Sequence, residues 1–155
     1  MKYIDINCDV GEGINNEGLI MPFIQSCSIA CGGHSGDSES MKRAVQLALK
    51  YQVKIGAHPS YPDKINFGRK SMRIGRDELI KAVRSQIENL MQIIDSQGIQ
   101  LNHIKPHGAL YNDIASNQSL ARLFLEAVLP YKHKVVLYVP YNSVIERESL
   151  TQGFS

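Results

Sequence analysis

Tryptophan is absent from this chain, and cysteine occurs only at Cys8, Cys27 and Cys31. Three thiols at these spacings make neither a disulfide framework nor a paired zinc motif. If 26–32 is a strand, Cys27 and Cys31 share one face with Cα atoms about 13 Å apart, at a rise of ~3.3 Å per residue, too far to bridge. They read as small buried hydrophobes in a reducing compartment, with a reactive-thiol role for Cys8, beside Asp9, as the lesser alternative. An excess of one charge is also missing: 17 basic and 15 acidic side chains leave a net +2. So slight and dispersed a charge argues against nucleic acid and anionic membranes as partners. No run of about 18 apolar residues appears, and the first apolar segment carries Asp5 instead of a signal-peptide core. A cytoplasmic protein is expected. Three signatures are lacking as well: the phosphate loop, the Gly-x-Ser-x-Gly elbow and the dinucleotide fingerprint. Gly68-Arg69-Lys70-Ser71 resembles the first only superficially, because Arg69 interrupts the Gly-Lys pair.

What is present is alternation. Short apolar, β-branched runs at 3–7, 26–31, 53–57, 101–104 and 134–139 are candidate strands. Helical periods separate them. One carries Met41, Ala44, Val45, Ala48 and Leu49 behind Asp37 or Ser38; a second runs from Leu79 through Ile94 and closes at Gly98. A third, Leu120 to Leu129, follows Ser116-Asn117 and stops at Pro130, and a last stretch covers 142–150. Strands separated by such helices predict right-handed βαβ units, a parallel sheet and an α/β fold, as a single domain over residues 1–155.

Four clusters of acid, histidine or lysine stand where strands are expected to end: Asn7-Cys8-Asp9 to Glu12, His34 to Asp37, His58 to Tyr61, and Lys105-Pro106-His107. Such ends converge in α/β proteins, so the clusters can share one pocket. Asp9 and Glu12 read equally as acids bonding turn amides and as groups that orient water, take a proton or bind a cation. Asp37 suits a helix cap, while His34 is the better functional candidate. His58 fits a satisfied core histidine, yet Ser60 and Tyr61 add hydrogen-bonding groups to its turn. A lysine between Ile104 and Pro106 is costly to bury unless it meets a carboxylate, phosphate or substrate, so Lys105 reads as functional. His103 and His133 read as structural or exposed. The connection 59–75, with Arg69, Lys70, Arg73 and Arg76, is long enough for a lid or binding loop; a solvated basic surface is the equal alternative for the last three. A metal-dependent hydrolase or deacetylase, with Asp9, His34, His58 and His107 as candidate ligands to a divalent ion, is one reading. A non-catalytic binding or scaffolding component of a complex is another.

The motifs Asn7-Cys8-Asp9-Val10-Gly11-Glu12-Gly13, Ala30-Cys31-Gly32-Gly33-His34-Ser35-Gly36-Asp37, Gly56-Ala57-His58-Pro59-Ser60-Tyr61-Pro62-Asp63 with Phe67-Gly68-Arg69, and Lys105-Pro106-His107-Gly108-Ala109-Leu110-Tyr111-Asn112 together resemble the LamB/YcsF family, whose members are also known as the A component of 5-oxoprolinase. Gly33 stands where phenylalanine is usual, and Ser35 where alanine is. The resemblance implies a (β/α) barrel-like fold related to the glycoside hydrolase and deacetylase barrels. It implies ATP-dependent opening of 5-oxoproline to L-glutamate with two partner subunits, ATP being a co-substrate.

An amide is held by resonance, visible in its ~18–20 kcal/mol rotational barrier, so its carbonyl needs activation by a proton, a metal or phosphorylation from ATP. On that reading Lys105 neutralises the developing oxyanion, phosphate or substrate carboxylate, while Asp9, Glu12, His34, His58 and His107 position water and move protons. Asn7, Asp37, Ser60, Tyr61, Arg69 and Asn112 are the candidate substrate-binding residues. A complete barrel takes ~250 residues, ~200 at the lower end, whereas this sequence offers about five βα units. The expectation is an incomplete barrel, truncated at its carboxyl end, that self-associates or leans on a partner to cover its open edges.

Overall fold

The computed structural model describes residues 4–155; the strand expected at 3–7 begins outside them, at Tyr3. Five strands, β1 (Asn7–Val10), β2 (Ser26–Ala30), β3 (Lys54–His58), β4 (His103–Ile104) and β5 (Val136–Leu137), form one sheet. It runs in the order β1-β2-β3-β4-β5, with every pair parallel. The helices between and after them are α1 (Glu17–Ile20), α2 (Ser38–Tyr51), α3 (Arg76–Asp95), α4 (Gly108–Ser116), α5 (Gln118–Val128) and α6 (Val144–Thr151). Each strand steps to the next position in the same sense, the winding of a β/α barrel; a doubly wound sheet would reverse its strand order. Among the described residues β1 and β5 are the edges. Beyond β5, the Leu137 amide donates to the Ser155 carbonyl at 2.8 Å.

β1 lies later than the apolar pattern suggests. Ile4 and Ile6 are exposed, while Asn7, Cys8, Asp9 and Val10 pair with Ser26, Cys27, Ser28 and Ile29. Local hydrophobicity points to the first segment; pairing with the neighbouring strand selects the second.

The two faces of the sheet differ. Cys27, Ile29, Ile55, Ala57, Ile104 and Leu137 are buried in the hydrophobic core, which they share with Val45, Ala48, Leu79, Val83, Ile87 and Leu90 of the helices. Their alternates, Asn7, Asp9, Ser26, Ser28, Gly56, His58 and His103, form the opposite face, as the two-residue period of a strand requires. A buried polar face must satisfy itself. Ser28 Oγ donates to Asn7 Oδ1 at 2.9 Å and Asn7 Nδ2 to Ser26 Oγ at 2.8 Å. His103 Nε2 lies 3.2 Å from Asn7 Nδ2 and 3.1 Å from Ser28 Oγ. The amide Nδ2 can only donate, so His103 Nε2 accepts and its proton sits on Nδ1, facing Asn102 Oδ1 at 3.2 Å. His103, read from the sequence as structural or exposed, is thus a buried structural residue, stacked on Tyr138 with ring centres 4.1 Å apart. His133 is exposed.

The helices follow their signals. Asp37 caps α2 in a capping box with Ser40, Asn117 caps α5 through the Leu120 amide, and α3 covers the long apolar period. Helix α4 has no comparable signal in the sequence. It lacks a side-chain cap, and its buried Leu110 and Ile114 are stabilised by packing on α5 and α6. No helix among the described residues is long and apolar enough to cross a membrane.

Gly56 is what admits the His103 ring: a Cβ there would lie 2.1 Å from Nε2. Gly56→Ala is expected to destabilise the fold by about 1–3 kcal/mol through overpacking. Gly75→Ala, with nothing within 4 Å of the added Cβ, should stay within about 0.5 kcal/mol. Denaturant unfolding of the two variants checks the contrast. Burial lowers the His103 pKa from 6.5 to about 4. Between those values the unfolded chain binds a proton that the native chain refuses, so stability is full above about pH 6.5 and falls towards pH 4. Melting temperatures over this range test the sign, and Asn7→Ala, which removes the amide that donates to the ring, should make the fall begin from a lower starting stability.

Candidate active site

The carboxyl ends of β1 to β4 bring the expected residues together. Asp9 sits within β1 and Glu12 in the turn after it; His34 follows β2, His58 is the last residue of β3, and Lys105 and His107 follow β4. Lys105 Nζ grips both carboxylate oxygens of Asp9, at 2.7 and 3.0 Å. The other Asp9 neighbour is His58, with Nε2 3.3 Å from Oδ2. Burial opposes ionisation of Asp9, but its contacts with His58 and Lys105 outweigh it and hold the carboxyl far below the ordinary range.

Glu12 is the second centre. Its Oε1 lies 2.9 Å from His34 Nε2, 3.4 Å from His107 Nδ1 and 3.8 Å from His58 Nε2. Burial again resists the charge, but the contact with His34 and the fields of the histidines prevail, lowering the Glu12 pKa. The His34 and His107 rings stack 3.5 Å apart, 5° from parallel. Burial depresses the pKa of both, with neighbouring histidines adding to it, and takes His107 to about 4. Glu12, His34, His58 and His107 offer ligand-type atoms all within 4.8 Å of one another. The sequence pattern suggests Asp9 for that set; Glu12 takes its place, and Asp9 is engaged by Lys105.

The connection 59–75 is fastened over this group. The Phe67 carbonyl accepts from His107 Nε2 at 3.0 Å, and its ring meets His34 and His107 edge-on. Gly108 allows the approach, since a Cβ on it would lie 2.6 Å from the Gly68 carbonyl oxygen. Tyr61 Oη and Ser71 Oγ both donate to Asp113 of α4. Gln86 of α3 accepts from the Ser60 amide and donates to the Ser60 carbonyl, each at 2.9 Å. Gln86 and Ser60 also fill the space that a side chain at position 33 would need, a Cβ there lying 2.2 Å from Gln86 Oε1.

The remaining candidates sit apart from the cluster or are occupied elsewhere. Asn7 belongs to the His103 network, Ser60 Oγ donates to the Tyr61 carbonyl, and Tyr61 is buried against Asp113. Asp37 caps α2, Asn112 is exposed on α4, and Arg69 lies over the Phe67 ring, 5.2 Å from its centre. Sequence reasoning misses Phe67, Gln86 and Asp113 as parts of this frame. Gln86 does leave a signal, a polar residue within the apolar period between Val83 and Ile87.

A singly wound β/α sheet with its ionisable groups gathered at the strand carboxyl ends defines a barrel-type protein with these groups where barrel active sites lie. Over residues 4–155 the chain matches the LamB/YcsF family, to which it belongs. It is 40% identical to the A component of the 5-oxoprolinase of Symbiobacterium thermophilum, over 99% of this chain and 60% of the relative. Against the corresponding protein of Bacillus cytotoxicus the identity is 43%, over 92% of this chain and 59% of the relative. The crystal structure of the lactam utilization protein from Thermus thermophilus superposes with a TM-score of 0.94 at 34% identity, covering 99% of this chain and 64% of that one. The chain therefore spans about 60% of the length of the curated relatives it matches.

Gln86 satisfies both backbone groups of buried Ser60. Gln86→Leu leaves them unpaired and should cost about 1–3 kcal/mol, with faster proteolysis inside 59–75 as the local readout.

Proposed function

We propose that this chain acts in the opening of 5-oxoproline to L-glutamate, coupled to ATP hydrolysis and carried out with partner subunits. The observation that carries the reading is the Lys105–Asp9 pair beside the Glu12–histidine group, at the strand ends of a LamB/YcsF chain. The relatives named for 5-oxoprolinase support the substrate class, and their naming as one subunit of that enzyme supports an assembly.

The chemistry follows from the charges. Lactam opening turns a neutral carbonyl oxygen into an anion or, with ATP, into a phosphate ester that must leave. Lys105 is the cation nearest that change; its side chain is 25% exposed, so a substrate can reach it. Asp9, held ionised, fixes the direction of the Lys105 side chain. His58 donates Nδ1–H to the Lys105 carbonyl at 2.6 Å, which turns Nε2 towards Asp9 and Glu12. Glu12 and the three histidines around it orient the attacking water and take its proton. Arg69, exposed above Phe67, is placed to meet the substrate carboxylate or a phosphate. ATP is a co-substrate of the assembly.

Lys105→Met removes the cation and keeps the stem. Mixed with its partner subunits, the variant should lose at least about 10²-fold in ATP-dependent glutamate formation, the scale of one lost oxyanion donor, with an unchanged circular dichroism spectrum. Full turnover by the variant would overturn the role of Lys105. No glutamate from the parent chain under any combination of partners would overturn the activity.

A further inference from the structure

Hydrogen-bond directions around the histidine group narrow what it can hold. His58 Nδ1 faces the Lys105 carbonyl oxygen at 2.6 Å, and His107 Nε2 faces the Phe67 carbonyl oxygen at 3.0 Å. A carbonyl only accepts, so each of those nitrogens carries the proton. The opposite nitrogens, His58 Nε2 and His107 Nδ1, are then bare in the neutral rings, and they point at each other across 3.0 Å. Glu12 Oε1, a third electron-rich atom, lies 3.8 and 3.4 Å from them. Three lone pairs converge on one point, and a bound cation or a proton shared between the rings must relieve their repulsion. His34 supplies a fourth donor through Nε2, 2.9 Å from the same oxygen. Its side chain is fully buried and its Nδ1 has no hydrogen-bond partner, so Nε2 is its one working atom.

We propose that Glu12 Oε1, His34 Nε2, His58 Nε2 and His107 Nδ1 bind one divalent transition-metal ion. In a tetrahedral site with bonds of about 2.0–2.1 Å the ligand atoms stand about 3.4 Å apart; the four separations above, 2.9 to 3.8 Å, bracket that figure, and the whole set lies within 4.8 Å. Three imidazoles and one carboxylate favour zinc, with manganese or cobalt as substitutes, over calcium or magnesium. The carbonyls of Lys105 and Phe67 are the outer partners that fix ring direction and tautomer, the usual support of a metal-binding histidine. With four protein ligands the tetrahedral ion is closed, so a water or a substrate carbonyl would reach it only as a fifth ligand. The assignment rests on these contacts and not on the lactam reading.

The test is binding. The untagged chain, stripped with chelator and dialysed, is titrated with zinc alone by calorimetry, and its metal content is measured after gel filtration. About one ion per chain is expected. His107→Gln should weaken binding at least about 10-fold, and His133→Gln, exposed and remote, should not. Cobalt added to the unaltered chain gives a readout that needs no variant, the intense visible bands of a tetrahedral nitrogen–oxygen site. Absence of zinc binding at 100-fold excess over protein, or binding that His107→Gln leaves intact while the variant remains folded, overturns the assignment; the first result means that His58 and His107 share a proton instead. Because the readout is binding, a chain inactive on 5-oxoproline leaves the assignment standing, and a chain that turns over 5-oxoproline but binds no zinc rejects it without touching the activity.

Discussion

The polar inner face of the sheet is the constraint on which the rest depends. A parallel sheet covered on both sides reads as continuous apolar runs; here alternate residues carry amides, hydroxyls, imidazoles, a carboxylate and an ammonium. Each needs a partner on another strand, and the partners lie far apart in sequence. Asn7 and Ser28 meet His103, while Asp9 meets Lys105 across the intervening strands. These bonds set the register between strands that are not neighbours. They also explain the small residues on that face, Ser26, Ser28, Ala30 and Gly56, which leave room for the rings.

One face thus serves two purposes at two depths. The His103 layer is closed: its donors and acceptors are spent on Asn7, Ser28, Asn102 and the stacked Tyr138. The layer at the strand ends is open, with Lys105 and Asp9 each a quarter to a third exposed. The same residue types, histidine against hydroxyl and carboxyl, are structural in one layer and chemical in the other because the second has access to solvent and leaves lone pairs unspent. The connection 59–75 belongs to the open layer. Its Phe67 carbonyl fixes His107, and its fastenings to Gln86 and Asp113 keep that carbonyl in place, so the loop is part of the site's frame.

Much of this is readable in the residues. Asp37, Asn117 and the long apolar period of α3 announce their helices because caps and periodicity are local. Lys105, His58 and His34 are recognisable because a charged or ionisable group at the end of an apolar run has few inexpensive fates. The position of β1 is not readable, since Ile4 and Ile6 carry the stronger strand signal and only pairing with β2 displaces it to Asn7–Val10. Helix α4 is hidden within a motif and is made by its contacts with α5 and α6. The exchange of Asp9 for Glu12 in the four-residue group follows from side-chain reach: the longer Glu12 arrives among the rings while Lys105 claims Asp9.

Local periodicity and motifs of adjacent residues are enough to establish the α/β class, the succession of strands and helices, the family, and the set of ionisable residues that meet at the strand ends. Three further choices wait for the folded chain: which acid joins the histidines, which nitrogen of each ring carries its proton, and which histidine is structural. They depend on distances between atoms of residues tens of positions apart, and on backbone carbonyls whose direction is set when the strands pair and the loops close.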